Sequence, residues 1–329
     1  MKPRTKLIAL ASGLVVAAVA YTGVWFYFAG ELQDRANAYI TGLTGQGIAA
    51  ACTNLDVVGY PLDIGLSCDA IGAENRRDGS SVQAGAFRAM AQMGRPHHVV
   101  SKLDGPLSAI GPRGSRVTAK WSVMHASTVF RNNGLRRGDF QAKEFEATLT
   151  GPLVPATVHL ESPEFEAHTR QHGRDLDAAF TVNKLSLNSS GPLGDLPVVD
   201  LSGTATLNGM AKLLSGREPI PDHLLRGTSG TLTAFSMNLG NGATLSLAGP
   251  FSFDTDGRLS GRFNLEIAGL SSWQQAIGAI LPETRETIAD AAAMLTALAG
   301  QSGTAKIIVT ADHGRLSLGL IPLGKLPPI

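Results

Sequence analysis

From residue 48 onward the chain alternates apolar and polar residues with a period of two, and that period decides its fold class. Val154, Ala156, Val158 and Leu160 interleave with Pro155, Thr157, His159 and Glu161, and Val199, Leu201, Gly203, Ala205 and Leu207 interleave with Asp200, Ser202, Thr204 and Thr206. The pattern returns in Val117-Ala119-Trp121-Val123, Phe165-Ala167, Leu176-Ala178-Phe180-Val182, Ala243-Leu245-Leu247, Leu259 to Ile267 and Ala305 to Ala311. Strands with one apolar and one polar face belong in antiparallel sheet rather than in a parallel α/β core. Gly-Pro steps at Gly105, Gly151, Gly191 and Gly249 each stand at the end of a predicted strand, where proline fixes φ and withholds an N–H. Their spacings of 46, 40 and 58 residues are too uneven for a solenoid, so they punctuate a meander. The expected fold is mainly β: an antiparallel, curled sheet, either a groove-forming meander or sandwich-like. Two helical interruptions are expected within it, Asn208–Leu214 and a C-terminal helical hairpin over 271–299. The second helix of that hairpin opens on Pro282, carries the stripe Ile288, Ala291, Ala292, Leu295 and Leu298, and ends at Gly300.

Ahead of the strands stands LIALASGLVVAAVAYTGVWFYFA, Leu7 to Ala29, 23 residues without a charge. As a helix it is roughly 34 Å long, enough for a hydrocarbon core of about 30 Å. Lys2, Arg4 and Lys6 precede it and Glu31 and Asp34 follow it, so the positive-inside rule places residues 1–6 in the cytoplasm and the remainder outside. Tyr21, Trp25, Tyr27 and Phe28 gather near the far end, where amphipathic rings favour the headgroup layer. A cleavable signal peptide is the competing reading, but its apolar region is normally shorter and ends in small residues, unlike Val24-Trp25-Phe26-Tyr27-Phe28. The chain thus divides into a tail (1–6), an anchor (7–29), a juxtamembrane helix and linker broken by Gly42, Gly45 and Gly47 (30–47) and a periplasmic β-rich domain (48–329).

Net charge is +1 and only 17% of residues are charged, which gives no electrostatic case for nucleic acid. The basic run Arg131 to Arg137 reads as a solvated, turn-like stretch. Cys52 and Cys68 each lie eight residues from Tyr60, in the turn signal Gly59-Tyr60-Pro61. A hairpin centred on Tyr60 opposes the two cysteines at a separation that suits a disulfide. That bridge is favoured over two buried thiols, and the spacing fits neither CxxC nor a zinc cluster.

Chemistry-bearing patterns are sparse. His168 and His172 have the i, i+4 spacing of zinc-binding helices, but their segment reads as strand and no glutamate lies between them. His97-His98 follows Pro96 and is expected in a loop, with no further His or Cys at metal-ligand spacing. Asp254-Thr255-Asp256-Gly257 resembles the start of a calcium loop, yet flanking strands make Asp-Gly a hairpin turn. The carboxylate pairs Glu144/Glu146 and Glu164/Glu166 alternate with apolar residues and are assigned to solvent. Neither phosphate-binding glycine loops nor a GxSxG elbow occur. The chain is expected to be no enzyme and to need no metal or cofactor.

Four features together resemble the alphaproteobacterial, membrane-anchored domain-of-unknown-function family 2125: the anchor, Gly59-Tyr60-Pro61-Leu62, Asp256-Gly257-Arg258-Leu259-Ser260-Gly261, and the tail Pro322-Leu323-Gly324-Lys325-Leu326-Pro327-Pro328. More distantly, anchor, meander and Asp-Gly hairpins resemble AsmA-like envelope proteins. That resemblance implies amphipathic sheets that curl into a groove and a part in phospholipid movement or outer-membrane upkeep. The expected location is the bacterial inner membrane, single-pass, with membrane, phospholipid or an envelope protein as partners. Candidate groove residues are Ala156, Val158, Ala167, Ala178, Phe180, Leu201, Gly203, Ala205, Leu245, Leu247, Phe263 and Leu265, the small ones leaving space for an acyl chain. The alternative is a non-catalytic adaptor whose apolar faces close into a core and whose sheet edges and Pro-rich tail meet a partner.

Overall fold

A computed structural model describes residues 3–131, 134–152, 156–191, 195–215, 223–280, 293, 295–297, 299, 300, 303–319 and 321–329. It is mainly antiparallel β and divides into two compact units, Met1–Arg116 and Val117–Ile329.

The first unit opens with α1 (Pro3–Gly45), so the apolar segment and the juxtamembrane segment are one uninterrupted helix. Gly42 does not break it; the chain leaves the helix only at Gly45, turning through Gly47 at φ +89°. The helix is long and apolar enough to cross a membrane. From Leu10 to Ala20 every residue is exposed, and a one-sided stripe begins only then, at Thr22, Trp25, Ala29, Leu32, Ala36, Ile40 and Leu43. That spacing of three and four is the mark of a helix with one packed face. The stripe packs on β1 (Ile48–Thr53), β2 (Asp56–Val58) and β3 (Asp63–Cys68).

The turn between β2 and β3 lies against the helix. Trp25, 3% exposed, donates its indole N–H to the Asp63 carbonyl at 2.9 Å, and its ring meets Tyr60 edge-on at 5.3 Å. The Tyr21 hydroxyl donates to the Pro61 carbonyl, Thr22 shares a hydrogen bond of 2.8 Å with the Tyr60 hydroxyl, and Phe26 stacks on Tyr60 at 5.9 Å.

β4 (Ala70–Asn75), β5 (Ser81–Ala84), β6 (Phe87–Gln92), β7 (Arg95–Leu103) and β8 (Leu107–Ile110) complete this unit. They form two ladders, β2–β3–β6–β7 and β1–β4–β5–β8, because each long segment breaks at the same level. Hydrogen bonds from Asp69 N to Thr53 O, Gly85 N to Asp104 O and Asp104 N to Ala86 O carry the ladder around this corner. The register opposes Cys52 to Ile71 and Cys68 to Phe87, so the cysteines are not cross-strand partners as a hairpin centred on Tyr60 requires. They meet because Cys52 lies on one side of the corner and Cys68 on the other. The Cys52–Cys68 disulfide, with Cα atoms 5.4 Å apart, ties the two ladders together.

The second unit is a meander of successive antiparallel neighbours: β9 (Arg116–Lys120), β10 (Val123–Arg131), β11 (Gly134–Thr150), β12 (Val158–His172), β13 (Asp175–Ser189), β14 (Val199–Leu207), β15 (Ser229–Gly240), β16 (Ala243–Phe253), β17 (Leu259–Ala268), β18 (Thr304–Asp312), β19 (Arg315–Leu318) and β20 (Ile321–Lys325). β9 and β10 share one edge of β11, and from there each strand pairs with the next through β20. This is the meander of the sequence reading rather than the sandwich, and the sheet is uncurled where a curl was expected.

Local details differ from the sequence expectations. Val117 to Val123 is two strands, parted at Trp121-Ser122. Gly249-Pro250 does not end a strand: it lies inside β16, at a bulge opposite Leu232. The Asp-Gly step is no two-residue hairpin turn, since residues 254–258 separate β16 from β17 and the Asp254 carboxylate accepts the N–H groups of Asp256 and Arg258. Tight two-residue hairpins stand at Asn241-Gly242, with φ of +50° and +77°, and at His313-Gly314, with φ of +47° and +81°, as a type I′ turn demands. The expected helix over 208–214 is a 3-10 helix, Met210–Ser215, and α2 (Leu270–Ile280) supplies the first arm of the expected helical hairpin. The second arm falls largely on residues outside the described set, as do Val154 and Pro155.

Candidate functional site

Register turns the alternation of single strands into rows. One row runs Ala126, Phe140, Ala167, Phe180, Gly203, Phe235, Leu247, Leu265 and Ile307, one residue from each of nine neighbouring strands. The adjoining row on the same face runs Met124, Ala142, Phe165, Val182, Leu201, Met237, Leu245, Ile267 and Ala305. Between these positions, on the opposite face, the row is His125, Gln141, Glu166, Thr181, Ser202, Ser236, Ser246, Glu266 and Lys306. Eight interstrand steps of about 4.8 Å make each row about 38 Å long. The sheet is therefore amphipathic across its width, not merely along each strand.

Ten of the candidate groove residues share this apolar face: Ala167, Phe180, Gly203, Leu247 and Leu265 in one row, Leu201 and Leu245 in the next, and Ala178, Ala205 and Phe263 on the far side of the first. Val158 joins them through a shift of phase described below, and Ala156 precedes β12. Space is not uniform along the face. A methyl built on Gly203 would run into the Phe180 ring, so the aromatic fills the gap that the glycine opens. Gly261 is likewise covered by Phe263, and Gly230 by Phe251. Among the described residues no large side chain is fully buried, and nine of the fifteen buried apolar residues are alanines. Leu201, Leu245, Leu247 and Leu265 are only half-buried. An apolar face in this condition can receive an apolar ligand.

The phase shift is a crease across three strands. Glu144 in β11 and Lys184 in β13 adopt left-handed backbone, φ +48° and +45°, and both stand beside Pro163 of β12. Each strand takes one extra residue there, so apolar positions pass from Phe140 and Ala142 to Phe145 and Ala147, and from Phe180 and Val182 to Leu185 and Leu187. In β12, read backwards, they pass from Phe165 to Leu160 and Val158. The apolar face stays on one side while sequence parity flips. At β14 the crease ends: the Asp200 carboxylate accepts the Lys184 N–H at 2.7 Å, where the β13–β14 register shifts.

Polar side chains gather along the crease. Gln141 donates to Glu164 and Glu166, each at 2.9 Å, Asn183 donates to Glu164 at 3.3 Å, and the Lys143 ammonium stands 3.6 Å from Glu164. Ser162, 3% exposed, directs its hydroxyl at the carbonyls of Asn183 (2.8 Å) and Glu164 (3.0 Å). Glu164 and Glu166 lie on the polar face of β12, as expected, and are half-buried there within this network, while Glu146 pairs with Lys120 at 2.7 Å. Farther along the polar face, His168 lies 2.8 Å from Asp139, which also accepts from Arg137 at 2.8 Å. Burial raises the Asp139 pKa, but the hydrogen bonds from Arg137 and His168 outweigh it and hold the carboxyl below its usual range. His168 and His172 form no metal-ligating group, and among the described residues there is no cluster of three or more His, Cys, Asp or Glu suited to a metal.

A second site forms where two distant segments meet. The Leu326 N–H donates to the Gly314 carbonyl at 2.8 Å, Gly314 N–H to Leu259 at 2.7 Å, and Ile329 N–H to Gly257 at 3.0 Å. Arg226 completes the clamp with 2.9 Å to the Ile329 carbonyl. The Asp256–Gly261 segment and the Pro322–Pro328 tail, separate in sequence, thus lie together. They bound a cavity of about 850 Å3 lined by Arg258, Asp312, His313, Arg315, Lys325, Leu326 and the terminal prolines, where basic side chains stand with the Asp312 carboxylate. Pro322 also withholds a donor within the outer strand β20, which blunts the sheet edge. Reading strands one at a time shows neither the crease network nor this cavity; for the crease, the slip of apolar phase at one level in three strands was the available sign.

No curated protein and no solved structure matches the chain. A family model described as an uncharacterized protein conserved in bacteria, DUF2125, matches residues 25–327, a span that takes in the hairpin turn under Trp25, the whole amphipathic sheet and the tail as far as Pro327. The chain belongs to the DUF2125 family.

Proposed function

We propose that this is a single-pass protein of the bacterial inner membrane, with its N-terminus in the cytoplasm and its β units on the periplasmic side, that binds phospholipid acyl chains on the apolar sheet face. In this reading it serves lipid transfer or envelope upkeep and performs no chemical step. The observation that carries the proposal is the pair of apolar rows crossing nine strands without a fully buried large side chain among the described residues. Burying a 16-carbon chain recovers roughly 13 kcal/mol at about 0.8 kcal/mol per CH2, which offsets extraction from a bilayer. The role that the AsmA-like resemblance implies agrees with such a face. Retention of the anchor is favoured by Trp25: cleavage within the apolar segment would remove the contacts of Tyr21, Thr22 and Trp25 with the hairpin turn. Lys2, Arg4 and Lys6 support the cytoplasmic N-terminus. The adaptor reading would use the Pro-rich tail as a contact surface, and that tail is tied back onto Gly257 and Gly314.

Native mass spectrometry of the full-length protein released from nanodiscs tests the reading. Adducts at phospholipid mass that survive release, and that fall when Ala167→Trp or Ala205→Trp fills the face, are expected. An apo spectrum for the unaltered chain, or adducts indifferent to both substitutions, would remove the acyl-binding reading.

A further inference from the structure

We infer that the Tyr60-Pro61-Leu62 turn is a second membrane-contacting element, set into the outer headgroup and upper acyl region beside α1. The inference rests on the reading of α1 as a membrane-spanning helix. The turn touches the helix inside the apolar segment, not beyond it: its partners are Tyr21, Thr22, Trp25 and Phe26. Trp25 lies four residues and Tyr21 eight residues before Ala29, the last residue of the apolar segment. At 1.5 Å per residue these contacts sit about 6 and 12 Å below its outer end. A turn held there by direct hydrogen bonds shares the helix's depth.

Its chemistry fits that depth. Tyr60, Pro61 and Leu62 carry no charge, and Leu62 is 73% and Tyr60 50% exposed. The neighbouring helix residues Phe26 (60%), Tyr27 (70%) and Phe28 (50%) are exposed as well, so the turn extends an aromatic and aliphatic surface of the kind that favours a membrane interface. Backbone groups are costly in lipid unless paired. Here the Gly59 carbonyl accepts from Asp63 N–H at 2.8 Å and the Leu62 carbonyl from Met93 N–H at 2.9 Å. The Pro61 and Asp63 carbonyls accept from the Tyr21 hydroxyl and the Trp25 indole, and Pro61 itself has no N–H to satisfy.

The described chain has no free cysteine, so single labels report cleanly. Full-length protein carrying Leu62→Cys, Val16→Cys or Arg77→Cys, each labelled with an environment-sensitive fluorophore, would be reconstituted into phosphatidylethanolamine–phosphatidylglycerol vesicles. Some vesicles would carry doxyl lipid quenchers near the headgroup and others near mid-chain. Intact mass would show a single label and a retained disulfide, establishing that the first unit is folded. The expected result is strong quenching at position 62 by the shallow quencher, at position 16 by the deep quencher, and at position 77 by neither. A label at 62 as unquenched as that at 77, with 16 still quenched, would overturn the turn insertion and leave the anchor standing. Loss of quenching at 16 too would overturn both.

Discussion

Trp25 and Asp63, 38 positions apart, are joined by an indole N–H to carbonyl bond of 2.9 Å, and through it a helix apolar enough to cross a membrane is fixed to the first hairpin of the β structure. The helix is thereby part of the folded first unit and not a tether. Replacing Trp25 with Ala removes the bond and the buried ring, and losses of about 3–5 kcal/mol are typical for such truncations. Hydrogen exchange should show the Gly59–Asp63 backbone losing protection in Trp25→Ala. Unchanged protection would mean that the helix and hairpin are held by other contacts.

Gly203 lies under the Phe180 ring, so Gly203→Ala should destabilise the second unit by about 1–3 kcal/mol, the usual cost of overpacking, although alanine ordinarily improves a strand glycine. Adding Phe180→Ala should relieve the clash, giving non-additive losses in denaturant titrations. Additive losses would contradict the contact.

Because the Cys52–Cys68 bridge joins ladders on either side of a corner, its removal should act locally. Cys52→Ser with Cys68→Ser should lower the stability of the first unit by about 2–5 kcal/mol. Exchange of amides over 48–110 should rise, while amides of β11 to β17 keep their protection.

The hydrogen bonds that hold the Asp139 pKa low stabilise the fold through the ionised carboxylate. Its contribution is therefore complete above the unfolded-state value of about 3.9 and is lost as pH falls through the lower folded value. Asp139 is partly solvated, so screening keeps the effect small. An NMR titration of the Asp139 side chain should place its midpoint below that of an unfolded-chain aspartate, and Asp139→Asn should flatten the acid limb of the second unit's stability curve.

Gly257 sits at φ +81° directly against Ile329, and a methyl there would meet the Ile329 backbone. Gly257→Ala should release the tail from its clamp, seen as faster exchange at Leu326 and Ile329 with β17 unchanged.

What could be read from the sequence follows from the range of the interactions involved. Strand alternation is local, so Leu201, Gly203 and Ala205 announced their shared face, and the uncharged run announced the helix. Pairing order followed because the connections are mostly short. The crease escaped because a left-handed residue such as Glu144 or Lys184 reverses side-chain parity without any residue type that demands it. Segments 158–160 and 165–167 consequently read as two strands where β12 is one. The corner in the first unit escaped for a similar reason, and with it the true geometry of Cys52 and Cys68: the bridge followed from spacing, but its offset register depends on breaks shared by four chain segments. Crowding at Gly203 is a cross-strand property, which no single strand displays.

The most direct test of acyl binding is a cross-link map. Full-length protein in nanodiscs would be irradiated with a phospholipid bearing a diazirine in its acyl chain, and adducts located by peptide mass spectrometry. The account predicts adducts on Ala167, Phe180, Leu201, Leu245 and Leu247 as well as on α1. Adducts confined to α1 and the Tyr60-Pro61-Leu62 turn, with none on the sheet face, would contradict it.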